Sequence, residues 1–147
     1  MSIAKQGGRR SVGLNELRNR RIPGVYLINV PKCVKSYFKV GISEEDVERR
    51  LEQYLTYYPW SFYVVAVILY PDNWEKYYLC RQAESELLKF LKEAQVKNFE
   101  GQQRTEWVKL KTQKQIKQTL AKMEEIANKT GGAYTYFGST HVIKLPE

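Results

Sequence analysis

The fold is indicated by two predicted strands, Gly24-Val25-Tyr26-Leu27-Ile28-Asn29-Val30 and Tyr37-Phe38-Lys39-Val40-Gly41. Both runs are rich in β-branched and aromatic residues, and the intervening residues 31–36 begin with a proline that ends the first strand. The next residues, Ile42-Ser43-Glu44-Glu45-Asp46, predict a helix entrance, because Ser43 can cap the helix and the helix dipole favours acidic residues there. We therefore expect a strand, a loop, a strand and a helix as the unit around which the chain folds.

The rest of the chain alternates apolar runs with amphipathic ones. The near-continuous apolar run from Phe62 to Tyr70 predicts a central strand that is covered on both faces. The other predicted elements are a helix from the acidic entrance to about Leu55, a helix over 74–94, a strand over 105–110 and a helix over 112–128 that Gly131-Gly132 ends. The tail, with Tyr134, Tyr136, Phe137 and Val142-Ile143, is apolar enough to pack back on the domain or to form a last strand.

These elements predict a small α/β (α+β) domain with a central, mostly antiparallel sheet of three strands flanked by helices. We divide the 147 residues into a basic flexible arm (1–21), the folded domain (22–110) and an extra C-terminal helix with its apolar tail (111–147). The arm is either a solvated tail or a segment that contacts phosphates, since cationic arms gain affinity for polyanions by releasing counterions.

Composition favours a folded protein with a polyanionic partner. Hydrophobic residues make up 43% of the chain, and the formal net charge is +8. Such a charge favours nucleic acid first and an acidic membrane surface second. The two cysteines, Cys33 and Cys80, are far apart in the sequence and form no ligand set with the lone His141. The sequence therefore argues against a structural zinc site, zinc hydrolysis and a disulfide framework. We see no signal peptide and no apolar run long enough to span a bilayer, so we expect an intracellular protein that uses no membrane.

Helical periodicity singles out two charged residues. On the helix after the hairpin, Arg50 lies along the margin of the apolar stripe, whereas Arg49 points away and is better interpreted as a solvated charge. On the helix over 74–94, Glu84 falls within the apolar arc, between the directions of Leu91 and Leu88. A carboxylate on an apolar face is costly unless it is paired or binds a metal. Glu84 is therefore a candidate metal ligand, or else a partner of Arg50 in a structural ion pair.

The order of these features resembles the GIY-YIG endonuclease superfamily. Gly24-Val25-Tyr26 takes the place of the first tripeptide, and Lys39-Val40-Gly41 takes that of the second, with lysine where the founding pattern has tyrosine. The lysine looks like a phage- or virus-associated branch that carries Lys-Ile-Gly, and Thr105-Glu106-Trp107-Val108 resembles the Thr-Glu-Trp-Phe strand of the same branch. Ala83-Glu84-Ser85-Glu86-Leu87 resembles the segment that carries the family's metal ligand.

The resemblance implies hydrolysis of DNA phosphodiesters with one divalent metal, Mg²⁺ or Mn²⁺. Tyr26 would activate the attacking water, Arg50 would stabilise the charge on phosphorus, and Glu84 would hold the metal. Lys39 and Tyr54 would support them, and Lys39 would do so because a nearby cation favours the phenolate form of a tyrosine. A lone domain would nick one strand, so cutting both strands would need a transient dimer or two binding events.

Three interpretations stay open from the sequence. Tyr26 and Lys39 can be a structural strand tyrosine and an edge-strand charge instead of catalytic residues. The chain can be a nucleic-acid-binding module that does not cleave, or an adaptor that binds protein through the tail around 134–137. In either nucleic-acid interpretation, the contacts are predicted on the arm and on the aromatic residues that follow the first helix: Arg9, Arg10, Arg18, Arg20, Arg21, Tyr57, Tyr58 and Trp60.

Overall fold

A computed structural model describes the fold over residues 3–4, 22–29, 36–43, 47–53, 62–70, 78–96, 107–138 and 142–143. The strands are β1 (Ile3–Ala4), β2 (Gly24–Asn29), β3 (Tyr37–Ser43), β4 (Phe62–Leu69), β5 (Trp107–Lys109), β6 (Ala133–Tyr136) and β7 (Val142–Ile143). The α-helices are α1 (Val47–Gln53), α2 (Tyr78–Phe90) and α3 (Gln113–Thr130), and a 3-10 turn covers Lys92–Ala94. The predicted α/β (α+β) class is confirmed.

The strands form a single antiparallel sheet in the order β1-β6-β4-β2-β3-β5, with β7 also pairing with β4. The predicted count of three strands is too low: five strands have at least three residues, and β1 and β7 have two each. β5 lies within the strand predicted over 105–110, and β6 lies in the apolar tail that was expected to pack back or to form a last strand, but neither was counted in the three-stranded sheet. Their pairing with β3 and β4 places them in the sheet.

Strand β4 lies in the middle of the sheet, as its apolar run predicts, and every residue from Val64 to Tyr70 is buried. A bulge interrupts its pairing with β2 and leaves Val65 as the extra residue. The Val65 carbonyl accepts hydrogen bonds from the N–H groups of Phe137 and Gly138, at 2.8 and 3.1 Å. The segment after β6 is therefore tied to the middle of the sheet.

The helices cover the two faces of the sheet unequally. Val25 and Leu27 of β2 belong to one apolar cluster, which contains the buried residues of α2 and α3. Tyr26 and Ile28, which point to the other face, belong to a second cluster with Val47 and Leu51 of α1. Because successive strand residues point to opposite faces, α1 lies on one side of the sheet and α2 and α3 lie on the other.

Helix α3 has sequence-encoded ends. The Thr112 hydroxyl accepts from the Gln115 N–H at 3.1 Å, and the Gln115 side chain accepts from the Thr112 N–H at 3.1 Å, which is a capping box. Gly131 ends the helix in the left-handed conformation, with a φ of 77°. No helix in the described part of the chain is both long and apolar enough to cross a bilayer.

Within the predicted arm, Ile3 and Ala4 pair with β6. The other residues of the arm lie outside the described part of the chain. The boundaries predicted at 21/22 and 110/111 stay predictions.

Candidate functional site

The first glycine of the hairpin allows three elements to meet closely. A Cβ atom on Gly24 would lie 2.4 Å from the Ile68 carbonyl oxygen of β4 and 3.0 Å from Cγ2 of Val47 at the start of α1. The Val47 N–H donates to the carbonyl of Ile22 at 3.1 Å, which fixes the start of the helix beside β2. Gly24 therefore brings α1 against the strand that carries Tyr26.

The second glycine makes room for the Tyr26 ring. Tyr26 and Gly41 are directly opposite each other on β2 and β3. A Cβ atom on Gly41 would lie 2.5 Å from Oη and Cε1 of Tyr26 and 2.6 Å from its Cζ. The end of the phenol ring therefore lies against bare backbone, and Tyr26 is fully buried, with 0% of its surface exposed. The two tripeptides form one packing unit.

Lys39 lies on the same face of the sheet as Tyr26, because it is two residues from Gly41 on β3. Its cross-strand neighbours are Ile28 and Trp107. The Lys39 ammonium is 5.4 Å from the centroid of the Trp107 ring, within the range of a cation–π contact. Trp107 thus packs against the Tyr26 cluster and also contacts Lys39, a contact that depends on the antiparallel pairing of β3 with β5 and has no signal in the sequence.

Helix α1 covers the Tyr26 face with its buried residues Val47 and Leu51. Arg49 and Arg50 are both exposed, so burial does not distinguish the two arginines. Arg50 lies in the last turn of α1. Tyr26 and Lys39 thus lie on one face of the sheet, and Arg50 is on the helix that covers this face.

Glu84 is on the helix that covers the opposite face. α2 packs through Cys80, Ala83 and Leu87. Glu84 is partly exposed, but its Oε2 atom is buried. Its neighbour Glu86 forms an ion pair with Lys129 of α3, at 3.0 Å. Since Glu84 and Glu86 point about 200° apart around the helix, Glu84 lies on the flank of α2 away from α3.

A single carboxylate is the donor set that Glu84 offers to a metal. Among the residues that the structure describes, no group of three or more His, Cys, Asp or Glu residues could hold a metal ion. One carboxylate fits Mg²⁺, which keeps most of its waters and often binds through one or two carboxylates. It does not fit a tightly held structural ion.

The other predicted site residues lie outside the described part of the chain. They are Tyr54, the arginines of the arm (Arg9, Arg10, Arg18, Arg20, Arg21) and the aromatic residues Tyr57, Tyr58 and Trp60.

The comparison with protein families gives one match. The model of the T5orf172 domain matches residues 24–124, more than half of the chain. This span runs from the first residue of β2 into α3 and contains Tyr26, Lys39, Arg50 and Glu84. The T5orf172 domain is a phage-associated domain related to GIY-YIG-like and HNH nuclease folds. No match was found among curated proteins or among solved structures.

Proposed function

Because the chain belongs to the T5orf172 domain family, we propose that it is a metal-dependent DNA endonuclease of the GIY-YIG type. The observation that carries the proposal is the contact of the Tyr26 ring with Gly41, which joins the two tripeptides of that superfamily in one unit. The formal charge of +8 supports a polyanionic substrate. The family alone supports a nuclease-like or DNA-binding module.

The proposed chemistry assigns one role to each residue. Tyr26, as phenolate or through a water, takes up the proton of the attacking water, and Arg50 stabilises the charge that develops on the phosphate. Lys39 supports Tyr26 from the neighbouring strand, and Tyr54 supports it from the segment after α1. Glu84 would hold a Mg²⁺ or Mn²⁺ ion, which would polarise the phosphodiester and stabilise the leaving oxygen.

The enclosure of Tyr26 favours a second candidate. With 0% of its surface exposed, Tyr26 reaches a substrate only if the residues over it move. Glu84 is also on a helix that packs on the other face of the sheet. A nucleic-acid-binding module that does not cleave needs neither the motion nor the convergence of these residues.

Paired variants separate the two candidates. Tyr26→Phe keeps the ring against Gly41 and removes only the hydroxyl, so cleavage falls while folding is kept. Arg50→Ala is compared with Arg49→Ala, a matched change on the same exposed helix. The nuclease predicts loss of cleavage in Arg50→Ala, little change in Arg49→Ala, and retained oligonucleotide binding in both. Binding without cleavage of supercoiled, linear, branched or single-stranded DNA would support the module instead.

A further inference from the structure

A groove lies at the end of the molecule where β3 begins and β5 ends. It encloses about 480 Å³ between the C-terminal end of α2, the 3-10 turn and the first turns of α3. Phe90, Tyr37, Lys109, Lys111 and Gln118 are among its lining residues. None of them was among the residues that the sequence suggested for nucleic-acid contacts.

The walls of the groove are fixed by backbone and capping hydrogen bonds. The Val96 N–H donates to the Trp107 carbonyl at 2.9 Å, which joins the segment after the 3-10 turn to β5. The Leu110 N–H donates to the backbone carbonyl of Ser36 at 2.9 Å, and the Lys111 N–H donates to Oε1 of Gln115 at 2.7 Å. The lysines therefore project from a pinned backbone.

The segments that form this groove carry a net positive charge, and two of their lysines, Lys109 and Lys111, line it together with Glu93. Residues 89–96 and 107–118 contain one glutamate, Glu93, and six lysines, all exposed: Lys89, Lys92, Lys109, Lys111, Lys114 and Lys117. The remainder of α3, residues 119–130, carries two lysines and two glutamates and is neutral. The groove end of the helix is thus suited to a chain of phosphates, and the other end is not.

An aromatic ring stands at the groove with much of its surface open. Phe90 is 48% exposed, which is unusual for a phenylalanine on an otherwise well-packed helix. The Lys122 ammonium, which also pairs with Glu125, lies 5.6 Å from the ring centroid and covers part of the ring. Tyr37 supplies a second, half-buried ring. Bases that are already stacked within a duplex cannot stack on these rings, but an unpaired base can.

We propose that this groove, which we call the Phe90 groove, binds single-stranded nucleic acid, with a base stacked on Phe90 and phosphates on Lys109 and Lys111. Lysines beside exposed aromatic faces are the combination that single strands recognise. An acidic peptide would use the lysines but would leave the ring exposed. The inference rests on the proposed function only for the choice of a nucleic acid as the polyanion, and it does not need cleavage.

The first test measures binding of a fluorescently labelled oligothymidine to the full chain by anisotropy, in EDTA and over a range of salt. Lys109→Gln and Lys111→Gln are made singly and together. Each lost phosphate contact lowers the slope of log affinity against log salt by about 0.7 for single strands. Lys129→Gln, which removes one charge from the neutral end of α3, is the matched control. Unchanged slopes in the double variant would overturn the assignment.

The second test concerns the ring. Phe90→Ala weakens binding about five- to 150-fold, the range expected when one stacked base is lost. Tyr78→Ala removes a ring that is 56% exposed at the other end of the same helix and leaves binding unchanged. Equal affinities for the two variants would contradict the stacking role. All of these side chains are exposed, so the variants fold, and thermal melts check this.

Two further measurements fix the place and the class of ligand. When irradiated, an oligonucleotide carrying 5-iodouridine crosslinks to the peptides that contain Phe90 or Tyr37. Crosslinks found solely in other peptides would show that the oligonucleotide does not bind in the Phe90 groove. Polyglutamate of matched charge competes poorly, and equal competition would show a general polyanion surface. Because all binding is measured in EDTA, a chain that binds here but never cleaves keeps this inference and fails the proposed nuclease.

Discussion

Replacing Gly41 by alanine tests the contact on which the candidate site is built. The new Cβ would lie 2.5 Å from Oη and Cε1 of Tyr26, whose ring is fully buried, so the ring or the strand must shift. Overpacking of this kind costs about 1–3 kcal/mol. Alanine also restricts the unfolded chain, which returns about 0.5–1 kcal/mol. These ranges leave a net loss of about 0–2.5 kcal/mol, and we expect a value in the middle of it, about 1–2 kcal/mol.

The assay is thermal or urea unfolding of four proteins in a double-mutant cycle. For a chain of this length, the loss corresponds to a fall in Tm of about 2–8 °C. The second site is Tyr26→Val, because valine lacks Cε1, Cζ and Oη, the atoms that the new Cβ would meet. Its cavity costs about 2–5 kcal/mol by itself. In that background, Gly41→Ala costs nothing or stabilises the fold, so the two changes are coupled.

Either of two results would show that an alanine at position 41 does not clash with the Tyr26 ring. One is a loss of less than about 0.5 kcal/mol for Gly41→Ala in the otherwise unchanged chain, which is the usual size for a substitution without a specific mechanism. The other is an equal cost for Gly41→Ala in both backgrounds, since additivity would show that the alanine meets something other than Tyr26.

Three further predictions concern stability. Burial raises the pKa of Tyr70 to about 12, so this tyrosine ionises at lower pH in the unfolded chain than in the folded one. The free energy of unfolding of wild type therefore falls by about 2–3 kcal/mol between pH 10 and 12. Tyr70→Phe lacks the 2.7 Å hydrogen bond to Thr130, so at pH 8 it is less stable than wild type. Because the variant cannot ionise at this position, the difference in stability between the two proteins becomes smaller by pH 11.5. Thr112→Ala removes the cap of α3 and costs about 1 kcal/mol in urea unfolding. Gly131→Ala forces a side chain into a φ of 77° and costs about 1–2 kcal/mol in the same assay.

Each of these has a control. A deficit of Tyr70→Phe that stays constant with pH would contradict the burial effect. Thr112→Ser keeps the hydroxyl acceptor and should match wild type, so equal losses for serine and alanine would contradict the cap. Gly131→Asn should cost less than Gly131→Ala, because asparagine tolerates the left-handed region, and the reverse order would contradict the backbone argument.

The longer elements of the fold could be predicted because their patterns are complete within the sequence. The apolar run from Phe62 fills both faces of a central strand, and Thr112 and Gly131 mark the ends of α3 by their own chemistry. A strand was predicted where β5 lies, and a last strand was allowed in the tail that contains β6, but their places in the sheet were not foreseen because long-range pairing with β3 and β4 decides them. The bulge at Val65 likewise depends on hydrogen bonds from residues 137 and 138.

The candidate site was predicted as a list of residues and less well as an arrangement. Periodicity identified Glu84, and the structure gives it a buried Oε2 atom. Periodicity on one helix cannot tell which face of the sheet that helix covers, so the separation of the α2 layer from the Tyr26 layer was not foreseen. The Phe90 groove was missed because its residues come from four segments of the chain, and no one segment looks like a binding motif.

The proposed nuclease is tested most sharply by nicking of supercoiled plasmid by wild type, Glu84→Gln and Glu86→Gln, each with Mg²⁺ and with EDTA. Glu86→Gln is the matched control, because it neutralises a glutamate two residues away on the same helix that instead pairs with Lys129. We expect nicking by wild type and Glu86→Gln with Mg²⁺, and none by Glu84→Gln or in EDTA. No nicking by wild type, or equal nicking by Glu84→Gln, would contradict it.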